Sequence, residues 1–177
     1  MKRIVIAAVV LSIGTVFAAA QAWPTKLVKI IVPFAAGATP DLVARLIADD
    51  LQTKLNQALI VEDRPGASGN TGTDAVAKAE PDGGTIGVSI GGPLAINTLL
   101  FPNLPYDPRK DLTLITLLVT QPSVLAVNAA LGVNDTRALI DVIKRNPGKY
   151  AFGSIGAGSL SHLAMEEIGR ASCRERV

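Results

Sequence analysis

The sequence contains few cysteine, histidine and aromatic residues. It has one cysteine and one histidine in 177 residues, and aromatic side chains make up 4% of the chain. One cysteine cannot form an internal disulfide, so the core must be closed by ordinary apolar packing. A single histidine, His162, excludes a histidine metal cluster, and the carboxylates lack the spacing of a calcium loop. We therefore expect neither a metal site nor a cofactor.

Clustered basic residues are also missing. The whole chain holds 17 Lys and Arg against 15 Asp and Glu, a net charge of +2. The chain ends contribute five of the basic residues and one of the acidic residues: Lys2, Arg3, Arg170, Arg174, Arg176 and Glu175. The remaining residues 23–167 have 12 basic and 14 acidic residues, a net charge of -2. Proteins that bind nucleic acid depend on clusters of Lys and Arg. We therefore expect no nucleic-acid partner.

The apolar block near the N-terminus is too short for a comfortable membrane span. It runs from Ile4 to Phe17, whereas a spanning helix needs about 20 apolar residues. Two basic residues precede the block, and small residues ending at Ala22 follow it, which is the pattern of a secretory signal peptide. We expect residues 1–22 to be this signal, cleaved after Ala22. An exported chain without disulfides fits a bacterial periplasm.

The C-terminal residues 168–177 differ in character from the sequence before them. They leave the helix-forming pattern and hold Cys173 together with three arginines. The string resembles one reading frame of a widely used sequencing adapter. We therefore expect native coding sequence to end near Glu167 and residues 168–177 to be a non-native tail.

Between these ends, short β-branched runs alternate with helical patterns. The predicted strands are residues 27–32, 59–62, 85–89, 112–119, 124–127 and 150–154. The predicted helices are residues 40–55, 71–79, 94–100, 136–145 and one that opens at residue 161. This alternation predicts an α/β fold with parallel-rich sheets and helices on both faces. A hinge between lobes is expected near residues 120–123, where two strands follow each other without a helix.

The helix boundaries carry recognisable end signals. Thr39 is the predicted N-cap of the first helix, with Pro40 in its first turn, and Asp135 is the predicted cap of a later one. The inward stripe of the first helix is predicted to comprise six apolar residues: Leu42, Val43, Leu46, Ile47, Leu51 and Leu55.

Three loops each leave a predicted strand, pass through small residues and end at a helix start. We name them the first loop (residues 33–41), the second loop (residues 65–72) and the third loop (residues 153–162). Ligands of parallel α/β sheets sit at the carboxyl ends of strands, where such loops meet. None of the three holds a lysine, so a bound anion would be held by backbone dipoles, hydroxyls and water. Any one of these loops alone also reads as a simple turn.

An enzymatic interpretation has one motif in its favour. Residues 87–91 satisfy G-x-S-x-G with Ser89 at the centre, and Asp135 or Asp141 followed by His162 completes the chain order of a serine hydrolase. The Gly-Pro pair directly after the motif and the short chain argue against it.

Several motifs occur together in the order of one known family. They are Trp23-Pro24, residues 33–37 with Asp41, residues 64–72, Pro81-Asp82-Gly83, residues 104–108, residues 146–149 and residues 161–164. In this order they resemble the substrate-binding proteins of tripartite tricarboxylate transporters, also called Bug or TctC-like receptors. The resemblance covers residues 23–167.

The resemblance implies a periplasmic binding protein type II-like fold of two lobes. It places the first lobe at residues 23–121, incomplete without a C-terminal return, and the start of the second lobe at residues 122–167. It also implies that the chain is truncated, is not an enzyme, and is monomeric when complete. Ala38, Pro40 and Leu160 depart from the family pattern, as does the Ile90-Gly91 pair, which leaves the identity of the acid open.

The function implied is capture of a small organic carboxylate and its delivery to the membrane permease subunits of a tripartite transporter. A receptor that feeds its ligand to a two-component sensor remains an alternative. The ligand-binding residues carried over from the family are Phe34, Ala35, Gly37, Ala38, Thr39, Asp41, Ser68, Gly69, Asn70, Gly156, Ala157, Ser159 and Ser161.

Overall fold

The computed structural model describes residues 23–173, and residues 1–22 and 174–177 lie outside this range. The predicted signal peptide and its cleavage site therefore fall outside the described residues. The strands are β1 (Val28–Val32), β2 (Leu59–Asp63) and β3 (Thr85–Gly87). The α-helices are α1 (Thr39–Leu55), α2 (Asn70–Ala77), α3 (Asn97–Leu100), α4 (Thr136–Arg145) and α5 (Leu160–Cys173).

The three strands form one parallel sheet in the order β2-β1-β3. β1 lies in the centre, and Val28, Ile30 and Val32 are fully buried. Ile30 pairs in register with Val61 of β2 and with Ile86 of β3. A central strand of a parallel sheet is covered on both faces, which explains why β1 reads as an almost continuous β-branched run.

Helices cover both faces of this sheet. On one face, Ala44 and Ala48 of α1 join Val28, Ile30 and Val32 in the apolar core. On the other face, a Cβ on Gly87 of β3 would lie 3.1 Å from a Val76 methyl group of α2. Successive residues of a strand point to opposite faces, so the two helices pack on different sides. The predicted α/β layering is confirmed.

The apolar stripe predicted for α1 is partly wrong. Leu42 and Leu46 are 54% and 72% exposed, while the small residues Ala44 and Ala48 are buried. The small side chains of Ala44 and Ala48 let α1 approach the sheet closely, and Leu42 and Leu46, each two residues away, lie about 200° around the helix and face outward. The predicted cap is also wrong, because Ala38 occupies the N-cap position and Thr39 is the first helical residue, followed by Pro40.

The C-terminal part of the described chain is built on helices. α4 and α5 pack on each other. The Asp135 side chain accepts a hydrogen bond from the Ala138 N–H at 2.8 Å and caps α4 as predicted. α5 continues to Cys173, so the expected loss of helical character after residue 167 is wrong. The helix persists because Glu167, Ile168 and Ala171 are compatible with helical backbone.

Three predicted strands do not form. Residues 112–119, 124–127 and 150–154 have no regular secondary structure. A strand needs a neighbour to accept and donate its backbone hydrogen bonds, and in residues 23–173 the only sheet is β2-β1-β3. Their composition is typical of strands, but in this structure they lack a pairing partner. Within the described range no helix is long and apolar enough to cross a membrane.

The single tryptophan lies near the amino ends of the strands. The Trp23 indole N–H donates to the Gly83 carbonyl at 3.2 Å. Gly83 has a φ of +76°, and a Cβ there would come within 2.7 Å of the indole nitrogen. Gly84 follows and accepts from the Lys29 N–H of β1 at 2.9 Å. The residues before β1 are thereby tied to the turn that precedes β3.

Replacement of residues on α1 tests which side faces the core. Ala44→Leu should lower the free energy of unfolding by about 1–3 kcal/mol, because a larger side chain cannot fit against β1. Leu46→Ala should change it by less than about 0.5 kcal/mol, because Leu46 faces solvent. Urea denaturation followed by circular dichroism measures both. A larger loss for Leu46→Ala than for Ala44→Leu would contradict the observed orientation of α1.

Candidate functional site

The segments that follow the three parallel strands lie at the same edge of the sheet. β1 continues into the first loop and β2 leads towards the second, while β3 continues to Val88, whose N–H donates to the Ile31 carbonyl at 3.0 Å. The third loop comes from the C-terminal part of the chain and contacts the second loop. A Cβ on Gly156 would lie 3.2 Å from the Ser68 hydroxyl oxygen.

Residues from all three loops line one crevice at this edge. The crevice is narrow in this structure, with a volume of about 10 Å³. Five of the residues predicted to bind ligand line it, and they are Phe34, Ser68, Gly156, Ala157 and Ser159. The other lining residues are Ile90, Gly92, Pro93 and Ile155. The lining contains no charged side chain, so its polar character comes from hydroxyls and backbone groups.

Asp41 holds the first loop by a hydrogen bond and does not line the crevice. Its side chain is buried and accepts a hydrogen bond from the Gly37 N–H at 2.7 Å. Arg45, one turn later on α1, lies 2.7 Å from Asp41 Oδ1 and 2.9 Å from Asp63 Oδ2. Burial and the neighbouring Asp41 carboxylate raise the pKa of Asp63 above its ordinary value, although Arg45 opposes this. The ion pairs anchor the first loop to the end of β2.

The second loop has a strained backbone. Four consecutive residues have positive φ angles, namely Gly66 (133°), Ala67 (46°), Ser68 (57°) and Gly69 (89°). For a residue with a Cβ this region costs on the order of 1 kcal/mol or more. Gly69 is required for a second reason, because a Cβ there would lie 2.6 Å from Pro93 Cγ and 3.0 Å from Phe34 Cζ. Strain of this kind persists only where surrounding contacts hold it.

A buried amide network supplies these contacts. Asn97, which opens α3 and is fully buried, donates through Nδ2 to the Ser68 carbonyl at 3.2 Å and to Asn70 Oδ1 at 2.5 Å. The Tyr106 hydroxyl lies 3.1 Å from the same Asn70 oxygen and 2.9 Å from the Pro93 carbonyl. Burial raises the pKa of the Tyr106 hydroxyl above its ordinary value. Asn70 is thus a structural part of the second loop.

Hydrogen bonds of its own serine hydroxyls hold the third loop in its turn. Ser159, which is buried, donates to the Gly156 carbonyl at 2.6 Å, and its oxygen accepts from the His162 N–H at 3.2 Å. The Ser161 hydroxyl lies 3.0 Å from the Ser159 hydroxyl. A Cβ on Gly158 would lie 2.7 Å from Asn97 Oδ1, so the third loop rests directly on the amide network.

The other predicted ligand residues lie around the crevice rather than on its wall. Ala35 and Gly37 are exposed, and Ala38 and Thr39 are half-buried at the start of α1. Gly69 lies behind Phe34 and Pro93, and Ser161 supports Ser159. Four lining residues were absent from the sequence prediction: Ile90, Gly92, Pro93 and Ile155. For Ile90 to Pro93 the signal was available, because they follow β3 at the same sheet edge as the other loops.

The hydrolase interpretation finds no support in the geometry. The Ser89 hydroxyl oxygen is buried and has no hydrogen-bond partner within residues 23–173. His162 Nδ1 instead accepts a hydrogen bond from the Gly158 N–H at 3.4 Å. A serine nucleophile requires a base within hydrogen-bond reach, and Ser89 lacks one here.

A glycine substitution measures the strain in the second loop. Ala67→Gly should leave stability unchanged or raise it by up to about 1 kcal/mol, because glycine adopts positive φ without steric cost. Ala75→Gly, within α2, is the matched control and should cost about 1 kcal/mol. Thermal and urea unfolding compare the two variants. Equal destabilisation by both would show that Ala67 is not strained in solution.

Comparison with known proteins identifies the family. Residues 43–175 match the family model described as tripartite tricarboxylate transporter family receptor. Protein BugT of Bordetella pertussis is 38% identical over 148 residues, which are 83% of this chain and 45% of BugT. The chain spans about half the length of the curated relatives it matches.

Solved structures agree with this assignment. Rpa4515 of R. palustris with adipate has a TM-score of 0.77 and 35% identity over 81% of this chain and 48% of that chain. MatC from Rhodopseudomonas palustris with bound malate has a TM-score of 0.77 and 31% identity over 85% of this chain and 51% of its own. The periplasmic binding protein BugD has a TM-score of 0.70 and 30% identity over 85% of this chain and 50% of its own.

The motif resemblance is therefore confirmed, and so is the predicted periplasmic-binding-protein fold class. The relatives are substrate-binding receptors, and two of the solved neighbours carry a carboxylate ligand. The chain belongs to the tripartite tricarboxylate transporter receptor family.

Proposed function

We propose that this chain forms the carboxylate-recognising part of a periplasmic receptor, which captures a small organic acid without chemical change. The receptor presents the acid to the permease subunits of a tripartite transporter. Export by the predicted signal, residues 1–22, places it in the periplasm. The adipate and malate in the two solved neighbours support a dicarboxylate as the first ligand class to test.

The observation that carries the proposal is the convergence of three loops on one uncharged crevice. Phe34, Ser68 and Ser159 come from different loops and line the same space. The first and second loops lead directly into α1 and α2, and α5 begins at Leu160. Helix starts carry unpaired N–H groups and a partial positive charge, which favour an anion.

The chemistry of capture follows from this lining. A carboxylate leaving water loses its hydration, and amide N–H groups, hydroxyls and retained waters replace it. Because no lysine or arginine lines the crevice, the acid is held by fixed dipoles rather than by a full opposite charge.

The predicted ligand residues divide into two roles under this proposal. The acid contacts five of them: Phe34, Ser68, Gly156, Ala157 and Ser159. Four more come within reach of the acid when the cleft closes: Ala35, Gly37, Ala38 and Thr39. Asp41, Gly69, Asn70 and Ser161 position the loops. Closure of the second lobe over the first requires that the acid bind the closed state more tightly than the open one.

Gly156 provides a direct test of carboxylate binding. Gly156→Ala should weaken malate or adipate binding at least tenfold, because its Cβ would press on the Ser68 hydroxyl at 3.2 Å and because its φ of +136° is strained for alanine. Gly153→Ala is the matched control in the same loop, with nothing within 4 Å of its Cβ, and should keep the affinity of the unchanged chain.

Isothermal titration calorimetry with malate, adipate and acetate measures these affinities, and a thermal-shift series extends the panel to other acids. Circular dichroism establishes that both variants are folded. Equal binding by Gly156→Ala and Gly153→Ala would exclude the crevice as the site. A folded chain that binds no organic acid at all would refute the proposed function for this chain.

A further inference from the structure

Apolar side chains form most of the wall of the crevice. The rings of Phe34 and Pro93 both lie against Gly69, since a Cβ there would be 2.6 Å from Pro93 Cγ and 3.0 Å from Phe34 Cζ. Ile90 lines the same space three residues before Pro93, and Ile155 lines it from the third loop. The first loop, the third loop and the segment after β3 thus each present hydrocarbon to whatever the crevice holds.

Free polar groups of the lining lie where the second and third loops meet. In the part of the chain that the structure describes, the Ser68 hydroxyl forms no hydrogen bond, and neither does the Ala157 N–H. Ser68 lies next to Gly156, whose Cβ would be 3.2 Å from its hydroxyl oxygen, and Ala157 is the next residue. Two donors in the same corner suit the two oxygens of one carboxylate.

The second serine hydroxyl of the lining is already used. Ser159 donates to the Gly156 carbonyl at 2.6 Å and accepts from the His162 N–H at 3.2 Å. Ser89 follows β3, but its hydroxyl oxygen is buried and it does not line the crevice. Among the side chains of residues 23–173 that line the crevice, Ser68 therefore has the hydroxyl that is available to a ligand.

We propose that the crevice prefers acids whose carbon chain carries no hydroxyl group, and that Ile90 and Ile155 determine this preference. The inference rests on the proposed function and narrows its substrate class. The carboxylate lies at Ser68 and Ala157, and the carbon chain lies on the apolar wall. A hydroxyl on that chain exchanges its hydrogen bonds with water for contact with hydrocarbon, which lowers the affinity because the hydroxyl stays unpaired.

The narrowness of the crevice strengthens this selection. Its volume of about 10 Å³ is no more than one water molecule needs. An acid therefore enters when the loops are apart, and after they close little room remains for a water that could pair with a ligand hydroxyl. An unsubstituted carbon chain needs no such water, and its contact with the apolar side chains of the wall is favourable.

Two pairs of acids isolate the effect of one hydroxyl. Malate is succinate with one added hydroxyl, and 3-hydroxybutyrate is butyrate with one added hydroxyl, so charge and carbon number are constant within each pair. In each pair the acid without the hydroxyl should bind about tenfold more tightly, a discrimination within the range of apolar pockets. Isothermal titration calorimetry on the full chain measures the dissociation constants, and the ratio within a pair is the readout.

Replacement of the two isoleucines tests which residues read the hydroxyl. Ile90→Thr and Ile155→Thr each place a hydroxyl on the wall and should shift the ratio by roughly fivefold or more towards the hydroxy acid. Ile60→Thr is the matched control, because Ile60 is 50% exposed on β2 and does not line the crevice, so the ratio should stay that of the unchanged chain.

The ratio distinguishes specificity from a loss of structure. A variant that merely loosens the loops weakens both acids of a pair alike and leaves their ratio unchanged. Ile155 is 68% exposed, so Ile155→Thr keeps the fold even if Ile90→Thr does not.

The outcomes separate this inference from the proposed function. Malate bound as tightly as succinate would overturn the inference, and so would a ratio that all three threonine variants leave unchanged, while carboxylate capture stands in both cases. A folded chain that binds none of the four acids would overturn the inference as well. If that chain also binds neither adipate nor acetate, the proposed function fails with it.

Discussion

The central strand β1 is the element on which the rest of this structure depends. Its buried residues accept one helix on each face and one strand on each side, so the parallel direction of the whole sheet follows from it. Parallel pairing obliges every strand to finish at the same edge. The first and second loops and the residues after β3 meet for that reason, although they are distant in sequence. Burial of β1 therefore determines where a ligand site can be built.

At that edge, the stability of the core offsets local strain. The left-handed run from Gly66 to Gly69 is unfavourable on its own, and the buried Asn97 amide restrains it through the Ser68 carbonyl. Asn97 also supports Gly158 of the third loop. One buried amide thus lies against two loops that arrive from different parts of the chain. A buried polar network of this kind favours the arrangement in which its donors are paired.

The sequence predicts the elements that are stabilised by local signals and by the sheet. The strand over residues 27–32, the cap at Asp135 and the glycine-rich loops were all recognisable, because periodicity and turn chemistry are local properties. The orientation of α1 was not predictable in this way, since Ala44 and Ala48 are buried for their small size rather than for their hydrophobicity. Residues 112–127 show the opposite error. Their strand-forming composition is real, but a strand also needs a partner, and composition carries no information about that.

The candidate ligand residues also differ in how far local sequence could identify their position. Loop composition pointed to Ser68 and Ser159, which line the crevice, whereas the Asp41 carboxylate and the Asn70 side-chain oxygen take part in hydrogen bonds within the fold. Ile155 had no sequence signal, because an isolated apolar residue in a loop looks like any other.

The position of Trp23 has a consequence for optical measurements on this protein. It is the only tryptophan, and it contacts the turn before β3, at the end of the strands opposite the crevice. Five residues of strand separate the two ends by roughly 16 Å. Its fluorescence therefore reports on whether the segment before β1 is docked on the sheet, and it responds little to events in the crevice. Trp23 is therefore suited to follow the docking of the segment before β1 rather than changes at the opposite edge of the sheet.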